Sequence, residues 1–239
     1  MKIFITGVSS GLGLALAKFY VSQGHTVGGC ARTTQSMKFT HANLISYKAD
    51  VSNRDELISA FEQFSPNRDI DVIIANAGVY AAEDDVSEKM IEMLRTQILG
   101  AFNCLSLAPS YMKSSTRKGY VLTIGSILAP FYYVKSPSYG LSKRCVLDIT
   151  KSFDTYLNSF EIDSGCFCPA YIQTEKLSEL TELRFPKSLF ASSEKVAVEQ
   201  IDKMVKKREK VLFYPRVLYI GLYMINLMPR FLKQFFHRV

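Results

Sequence analysis

The sequence predicts an α/β fold: one parallel sheet, doubly wound, with helices on both faces. Three observations carry this. Short apolar runs alternate with longer amphipathic ones along most of the 239 residues. Repeated strand–helix–strand units have this signature, because each crossover helix forces its two strands parallel and covers a face of the sheet. A glycine-rich turn joins the first strand-like run to the first helix-like one. Finally, polar residues suited to hold a ligand stand just after several of the apolar runs, at the edge where open α/β sheets bind their ligands.

Taken in order, Lys2-Ile-Phe-Ile-Thr6 reads as a strand, followed by the turn Gly7-Val-Ser-Ser-Gly11-Leu-Gly13 and by Leu14-Ala-Leu-Ala-Lys-Phe-Tyr20 in a helix over 11–23. Strands are expected at 25–31, 44–49, 70–75, 119–125, 162–168 and 210–214, and helices at 53–64, 87–112, 137–159 and 193–207. A chain of this size fits one α/β domain, and with 48% hydrophobic residues it can bury a large core. Residues 1–214 are read as that domain and 215–239 as an apolar and basic helical extension. The strand begins almost at the first residue, so a cleaved leader is not expected. Five cysteines at irregular spacing argue against a disulfide framework and suit a reducing cytoplasm. Cys166-Phe-Cys168 has no second pair or histidine cluster beside it, so it reads as buried strand and no metal site is expected.

The chemistry centres on Tyr139-Gly-Leu-Ser-Lys143. Positions i and i+4 share a helix face. A phenol has a free pKa of about 10, and a neighbouring ammonium stabilises its anion and lowers that value. Tyr139 can then exchange a proton with a substrate oxygen, which Ser126, at the end of a strand, can hold. Alone, such a pair equally describes a solvated helix face. The glycine turn supplies the context: between strand and helix it lets backbone N–H groups approach a pyrophosphate, with the positive end of the helix dipole behind them. Its spacing, Gly-x3-Gly-x-Gly, is a variant of the dinucleotide fingerprint of Rossmann-like folds.

Together these residues resemble the short-chain dehydrogenase/reductase family over about residues 1–175. The family's TGxxxGxG pattern is matched from Thr6 to Gly13, its NNAG motif by Ala75-Asn76-Ala77-Gly78, and its Ser, Tyr and Lys by Ser126, Tyr139 and Lys143. Its PG motif stands as Pro169-Ala170, with Thr174 at the place of a nicotinamide-contacting threonine. The resemblance implies an enzyme that moves hydride between a nicotinamide and a carbonyl or alcohol. It implies a cofactor cradle of Gly7, Ser9, Ser10, Gly11, Leu12 and Gly13, an adenine contact at Asp50-Val51, and further contacts from Asn76, Ala77, Gly78, Tyr139, Lys143, Pro169, Ile172 and Thr174. Asn76 is expected to brace the pocket rather than react, and Asp50 can alternatively cap the helix after it. Homo-oligomers through the long helices also follow from the resemblance.

Three departures matter. The family's fourth catalytic residue is an asparagine, and Gln97 stands there with one more methylene. A relay built on that asparagine then depends on Gln97, and loss of it is the one motive for the alternative of a nucleotide-binding regulator without turnover. The PG glycine is Ala170, which is acceptable where the backbone does not need positive φ. The family's usual C-terminal ending is absent. At the end of the second strand, Ala31 takes the place where relatives that use NAD tend to carry an acid, and Arg32, Thr33 and Thr34 follow. A guanidinium pairs bidentately with a 2′-phosphate, so NADP(H) is the expected cofactor; a solvated loop arginine is the other reading of Arg32. The stretch Tyr171 to Phe190, rich in leucine and aromatics, is expected to cover a partly apolar substrate.

Charge divides the chain. Residues 203–239 hold nine of the 29 Lys and Arg and one of the 22 Asp and Glu. The rest is balanced, so nucleic acid is not the expected partner. Lys203, Lys206, Lys207, Arg208 and Lys210 precede the uncharged stretch 217–228, and Phe231, Leu232, Phe235 and Phe236 then share a helix face opposite Arg230, Lys233 and His237. As a helix, 217–228 reaches only about 18 Å, too short for a core of about 30 Å. Attachment to a membrane surface and packing against the domain or a second subunit are the two readings.

Overall fold

The protein is described by a computed structural model over residues 1–33, 39–79, 88–113, 118–131, 137–173 and 191–229. Seven parallel strands form the central sheet: β1 (Lys2–Thr6), β2 (Thr26–Ala31), β3 (Leu44–Lys48), β4 (Val72–Ala75), β5 (Gly119–Ile124), β6 (Ile162–Pro169) and β9 (Val211–Tyr214). Their order is β3-β2-β1-β4-β5-β6-β9. The chain runs outwards from β1 to β3, returns to lay β4 on the other side of β1, and then runs outwards again. The crevice between β1 and β4 is therefore the switch point of the sheet, where a ligand meets strand ends from both halves. A two-stranded pair, β7 (Ile172–Gln173) with β8 (Ser192–Ser193), brings together the two ends of the segment 174–190.

Alternation within each strand builds two cores. From β1, Ile3 and Ile5 point to one face, against Leu16 and Tyr20 of α1 (Gly11–Ser22) and Ile201 and Met204 of α6 (Glu194–Lys207). Phe4 points to the other, edge-on to Phe61 of α2 (Arg54–Phe64), with centroids 4.7 Å apart. That second face is completed by α4 (Gly100–Tyr111) and α5 (Pro137–Asn158). Strands covered on both faces read as unbroken apolar runs, and β4, Val-Ile-Ile-Ala, is buried throughout. Among the described residues, two helices start at a capping side chain, as their sequences dictate. Asn53 accepts from the N–H groups of Asp55 and Glu56 ahead of α2, and Ser193 accepts from Val196 N ahead of α6.

The expected helix over 87–112 is interrupted. α3 (Glu88–Leu94) passes into a π-helical turn, Arg95–Leu99, before α4. Two contacts accompany the extra residue. Gln97 is drawn inward by the hydrogen bonds described below, and Gly100 packs so closely that an added Cβ would lie 2.6 Å from Val51 Cγ2. Beyond β9, α7 (Arg216–Leu227) projects with none of its residues buried. Among the described residues no helix is long and apolar enough to cross a membrane.

Candidate active site

The carboxyl ends of β1, β4, β5 and β6 converge on one crevice, and each contributes a polar group to it. After β1 the chain turns at Gly7, whose φ of 76° is open to glycine without strain. Gly7 N and Val8 N donate to Cys30 O at 2.8 and 3.3 Å, which anchors the turn to β2. A Cβ on Gly13 would lie 2.1 Å from Gly7 O and 2.6 Å from Asn76 Nδ2, so only glycine lets α1 approach the loop this closely. Ser10 precedes α1 in extended conformation and makes no side-chain cap. The turn and the amino end of α1 thus combine close-packed backbone with the positive end of a helix dipole, a donor set that suits a phosphate.

β4 ends in the Asn76 motif. Asn76 Nδ2 donates to Thr6 O at 2.9 Å, while the N–H groups of Asn76 and Ala77 donate to Thr6 Oγ1 at 3.0 and 2.9 Å. These bonds tie β1 to β4 across the switch point and fix the width of the crevice. At the end of β3, Asp50 accepts from Ser52 N and Ser52 Oγ at 2.8 and 2.7 Å. Its neighbour Val51 is buried and accepts from Asn103 Nδ2 at 2.9 Å. The cap of α2 is Asn53 rather than Asp50. Arg32 and Thr33 are exposed after β2, and Arg32 forms an ion pair with Glu92 of α3. Thr34 lies outside the described residues.

β5 and α5 carry the three residues expected to react. Ser126 is buried two residues past β5, and its Oγ accepts from Leu128 N at 3.2 Å. Tyr139 is half-buried in the first turn of α5. One turn on, Lys143 is 8% exposed, its Nζ donates to Ile124 O at 3.1 Å, and it lies 5.8 Å from the centre of the Tyr139 ring. Burial pushes the Lys143 ammonium down to about 8, and the thiols of Cys166 and Cys168 on β6 offset this only in part. Those sulfurs sit 3.6 Å apart within the buried strand.

Gln97 is 4% exposed and bridges two elements. Its Nε2 donates to Val79 O at 2.7 Å, and its Oε1 accepts from Ser142 Oγ at 2.8 Å. Ser142 Oγ also contacts Tyr139 O at 2.7 Å. The carboxamide therefore joins the loop after β4 to the turn of α5 that holds Tyr139 and Lys143. Gln97, Thr6, Ile124 and Lys143 line a small cavity of about 10 Å³, close to the room one water needs. A wider hollow of about 480 Å³ opens beside Pro109, Tyr156 and Phe160 at the far ends of α4 and α5, away from these groups.

On β6, Pro169 is buried and Ala170 N donates to Tyr214 O at 2.8 Å. Ala170 is not among the residues of positive φ, so its Cβ costs nothing there. Ile172 is half-buried in β7. Thr174 and most of the expected substrate cover 171–190 lie outside the described residues. Three partners had no clear sequence signal. Ser142 sits inside the Tyr139–Lys143 run but carries no mark of its bond to Gln97. Glu92 is 60 residues from Arg32. Thr6 opens the glycine motif, but nothing in the motif marks its bonds to Asn76 and Ala77.

A family model described as short chain dehydrogenase matches residues 1–184. The 3-oxoacyl-(acyl-carrier-protein) reductase of Buchnera aphidicola is 26% identical over 240 residues, covering 93% of this chain and 97% of that one. Two solved structures share the fold. One is a short chain dehydrogenase from Burkholderia cenocepacia in complex with NADP, with TM-score 0.78, 18% identity, and 95% and 98% of the two chains covered. The other is a 3-ketoacyl-(acyl-carrier-protein) reductase from Brucella melitensis with NADH, with TM-score 0.79, 17% identity, and 89% and 96% covered. With more than three-quarters of its length matched by the family model, and with that family's motifs gathered at one sheet edge, the chain belongs to the short-chain dehydrogenase family of oxidoreductases.

Proposed function

We propose that this protein is an NADP(H)-dependent oxidoreductase that reduces a partly apolar ketone, or oxidises the matching secondary alcohol. The observation that carries the reading is the pair on α5: a buried ammonium one turn from Tyr139, at the mouth of the switch-point crevice. When bound, the nicotinamide supplies or accepts the hydride. Everything else falls to the chain. Lys143 favours the phenolate of Tyr139 and would hold the nicotinamide ribose hydroxyls. Tyr139 protonates the developing alkoxide, or takes the alcohol proton in reverse. Ser126 Oγ donates to the same oxygen. Gln97 stands in for the family asparagine by holding Ser142 and the Val79 loop, with the small cavity beside Lys143 placed for a relay water.

The cradle is Gly7, Ser9, Ser10, Gly11, Leu12 and Gly13, with Asp50 and Val51 towards adenine and Asn76, Ala77, Gly78, Pro169, Ile172 and Thr174 around the nicotinamide half. NADP(H) is preferred over NAD(H) because Ala31 leaves no acid to repel a 2′-phosphate and Arg32 is exposed beside it. The solved relatives hold NADP in one case and NADH in another, so the preference rests on Arg32. The aromatic ladder of Phe102 on α4, half-buried Phe153 and Tyr156 on α5, and Phe160 just past α5 supports pairing of two copies there. We read residues 1–214 as the catalytic domain, working in the cytoplasm, and 215–239 as an extension that meets a membrane surface. Tyr139→Phe tests the chemistry: NADPH affinity should hold while turnover of a good ketone falls by about 10²–10⁴-fold. Turnover at the wild-type rate would remove Tyr139 from its role.

A further inference from the structure

Apart from Arg216 and Asn226, α7 has almost no polar side, yet none of its residues is buried. Its inner side rests on the domain through Tyr219, whose ring stacks on Phe213 with centroids 4.0 Å apart and lies 6.0 Å from Phe131. Phe131 belongs to the loop that Ser126 opens. Tyr214, just before α7, pairs in register with Pro169 at the ligand edge of the sheet. The helix therefore starts at the rim of the active-site crevice. Its outer side carries Val217, Ile220, Met224 and Leu227, which are 78, 58, 56 and 62% exposed, with Tyr223 at 47% beside them. Spacings of three, four and three residues put the four on one stripe, and no charge lies between Arg216 and Leu227.

Size and charge choose the occupant. A contiguous apolar stripe of this kind marks a contact surface. A strip about 18 Å long and roughly 10 Å wide offers far less than the roughly 800 Å² per partner of a stable protein interface. A bilayer surface sets no such minimum and accepts a helix lying in its plane. From Val211 to Val239 the sequence has Arg216, Arg230, Lys233 and Arg238 and no acid, which favours anionic headgroups. The earlier basic run stands at the opposite end of β9 from α7, and three of its five residues, Lys206, Arg208 and Lys210, are already paired with Asp202, Asp163 and Asp154 at 2.6, 3.3 and 2.6 Å.

We propose that α7 lies on an anionic lipid bilayer with Val217, Ile220, Met224 and Leu227 turned into it, so that the crevice opens beside the lipid and takes a substrate dissolved there. The docking stands on the helix alone; the substrate half rests on the reading of Tyr139 and Lys143 given above. Exposed apolar side chains would then serve as the entrance of an apolar ketone or alcohol that rarely visits water.

The test uses the full chain, flotation with vesicles of phosphatidylglycerol and phosphatidylcholine or of phosphatidylcholine alone, and the double variant Ile220→Ser, Met224→Ser. Wild type should float with the anionic vesicles and be released by high salt. The double variant should lose binding at least about tenfold, with NADPH affinity and turnover of a water-soluble ketone unchanged. A long-chain ketone embedded in the vesicles should be reduced several-fold more slowly by the variant. Wild type that stays unbound at low salt, or a variant that floats equally well, overturns the docking. So does a wild-type dimer that the variant dissociates, since a second copy would then cover the stripe. Equal rates on the embedded ketone overturn the delivery half. Flotation of a protein that neither binds NADPH nor turns over any ketone would leave the docking standing and remove the enzymatic reading.

Discussion

Replacing Lys143 by methionine should make the apoprotein more stable while ending its turnover. The lysine is 8% exposed, and its pKa falls from an ordinary 10.5 to about 8 because the folded protein resists a buried charge. At pH 7 the group is protonated in both states, and the difference corresponds to about 3 kcal/mol of destabilisation. Methionine has similar length and no charge, so it removes that cost. It also loses the bond from the charged Nζ to Ile124 O, worth about 1.5–3 kcal/mol. The net gain is at most about 1.5 kcal/mol, or up to roughly 3–6 °C in the midpoint for a chain of this size. The sign with pH follows from proton counting. Between pH 8 and 10.5 the unfolded lysine holds a proton that the folded one has given up, so wild-type stability rises with pH relative to the variant and the gap closes. Thermal melts of both apoproteins from pH 6.5 to 10.5 read this directly. A variant that melts below wild type at pH 7, or a gap that does not narrow, would refute the electrostatic account. Retained turnover would refute the role in catalysis.

Two further outcomes follow from the contacts around the crevice. Arg32→Ala should weaken NADPH far more than NADH, since a charge-assisted pair contributes on the order of 1.5–3 kcal/mol. Glu92→Gln should strengthen NADPH by up to about fivefold, because the exposed ion pair it frees is worth at most about 1 kcal/mol. Cofactor titrations check both, and equal wild-type affinity for the two cofactors sinks the assignment. Gln97→Leu should slow turnover without weakening NADPH, whereas Gln97→Asn should stay active; Ser142→Ala should resemble the leucine variant. A fully active leucine variant would show that the carboxamide only packs.

The fold was legible because buried parallel strands leave an unmistakable trace. Ile3, Phe4 and Ile5 must all be apolar, since one face meets α1 and α6 while the other meets α2. Strand and helix positions therefore agree with the sequence reading to within one or two residues at nearly every boundary. The residues after the strands were legible for a related reason: the topology gathers them whatever the chemistry. What 3.6-residue periodicity cannot show is one extra residue in a turn. The π turn at Arg95–Leu99 depends on Gln97 reaching Val79 O and Ser142 Oγ, partners 18 and 45 positions away. Helix breaks of this type cluster at functional sites, and only half of the clue was legible, the amide where an asparagine is usual.

The tail shows how neighbourhood in sequence misleads about neighbourhood in space. Five basic residues stand just before the apolar stretch and read as one amphipathic signal. Folding separates them, because β9 lies between them, alongside Cys166–Pro169 of β6. Lys210 precedes β9 and pairs with Asp154, while Tyr214 leaves at the carboxyl edge beside Pro169. Lys206, Arg208 and Lys210 thereby join the domain's own charge pairing, and α7 starts at the rim of the candidate site. A solvated surface helix needs a polar side, and α7 has none beyond Arg216 and Asn226. Its inner face is already used by Tyr219 against Phe213. The outer stripe is then selected for something other than stability of this domain. On that inner face Tyr219 also lies 6.0 Å from Phe131 of the loop that Ser126 opens, so the proposed lipid contact stands beside the proposed site, which favours passage of substrate over anchorage alone.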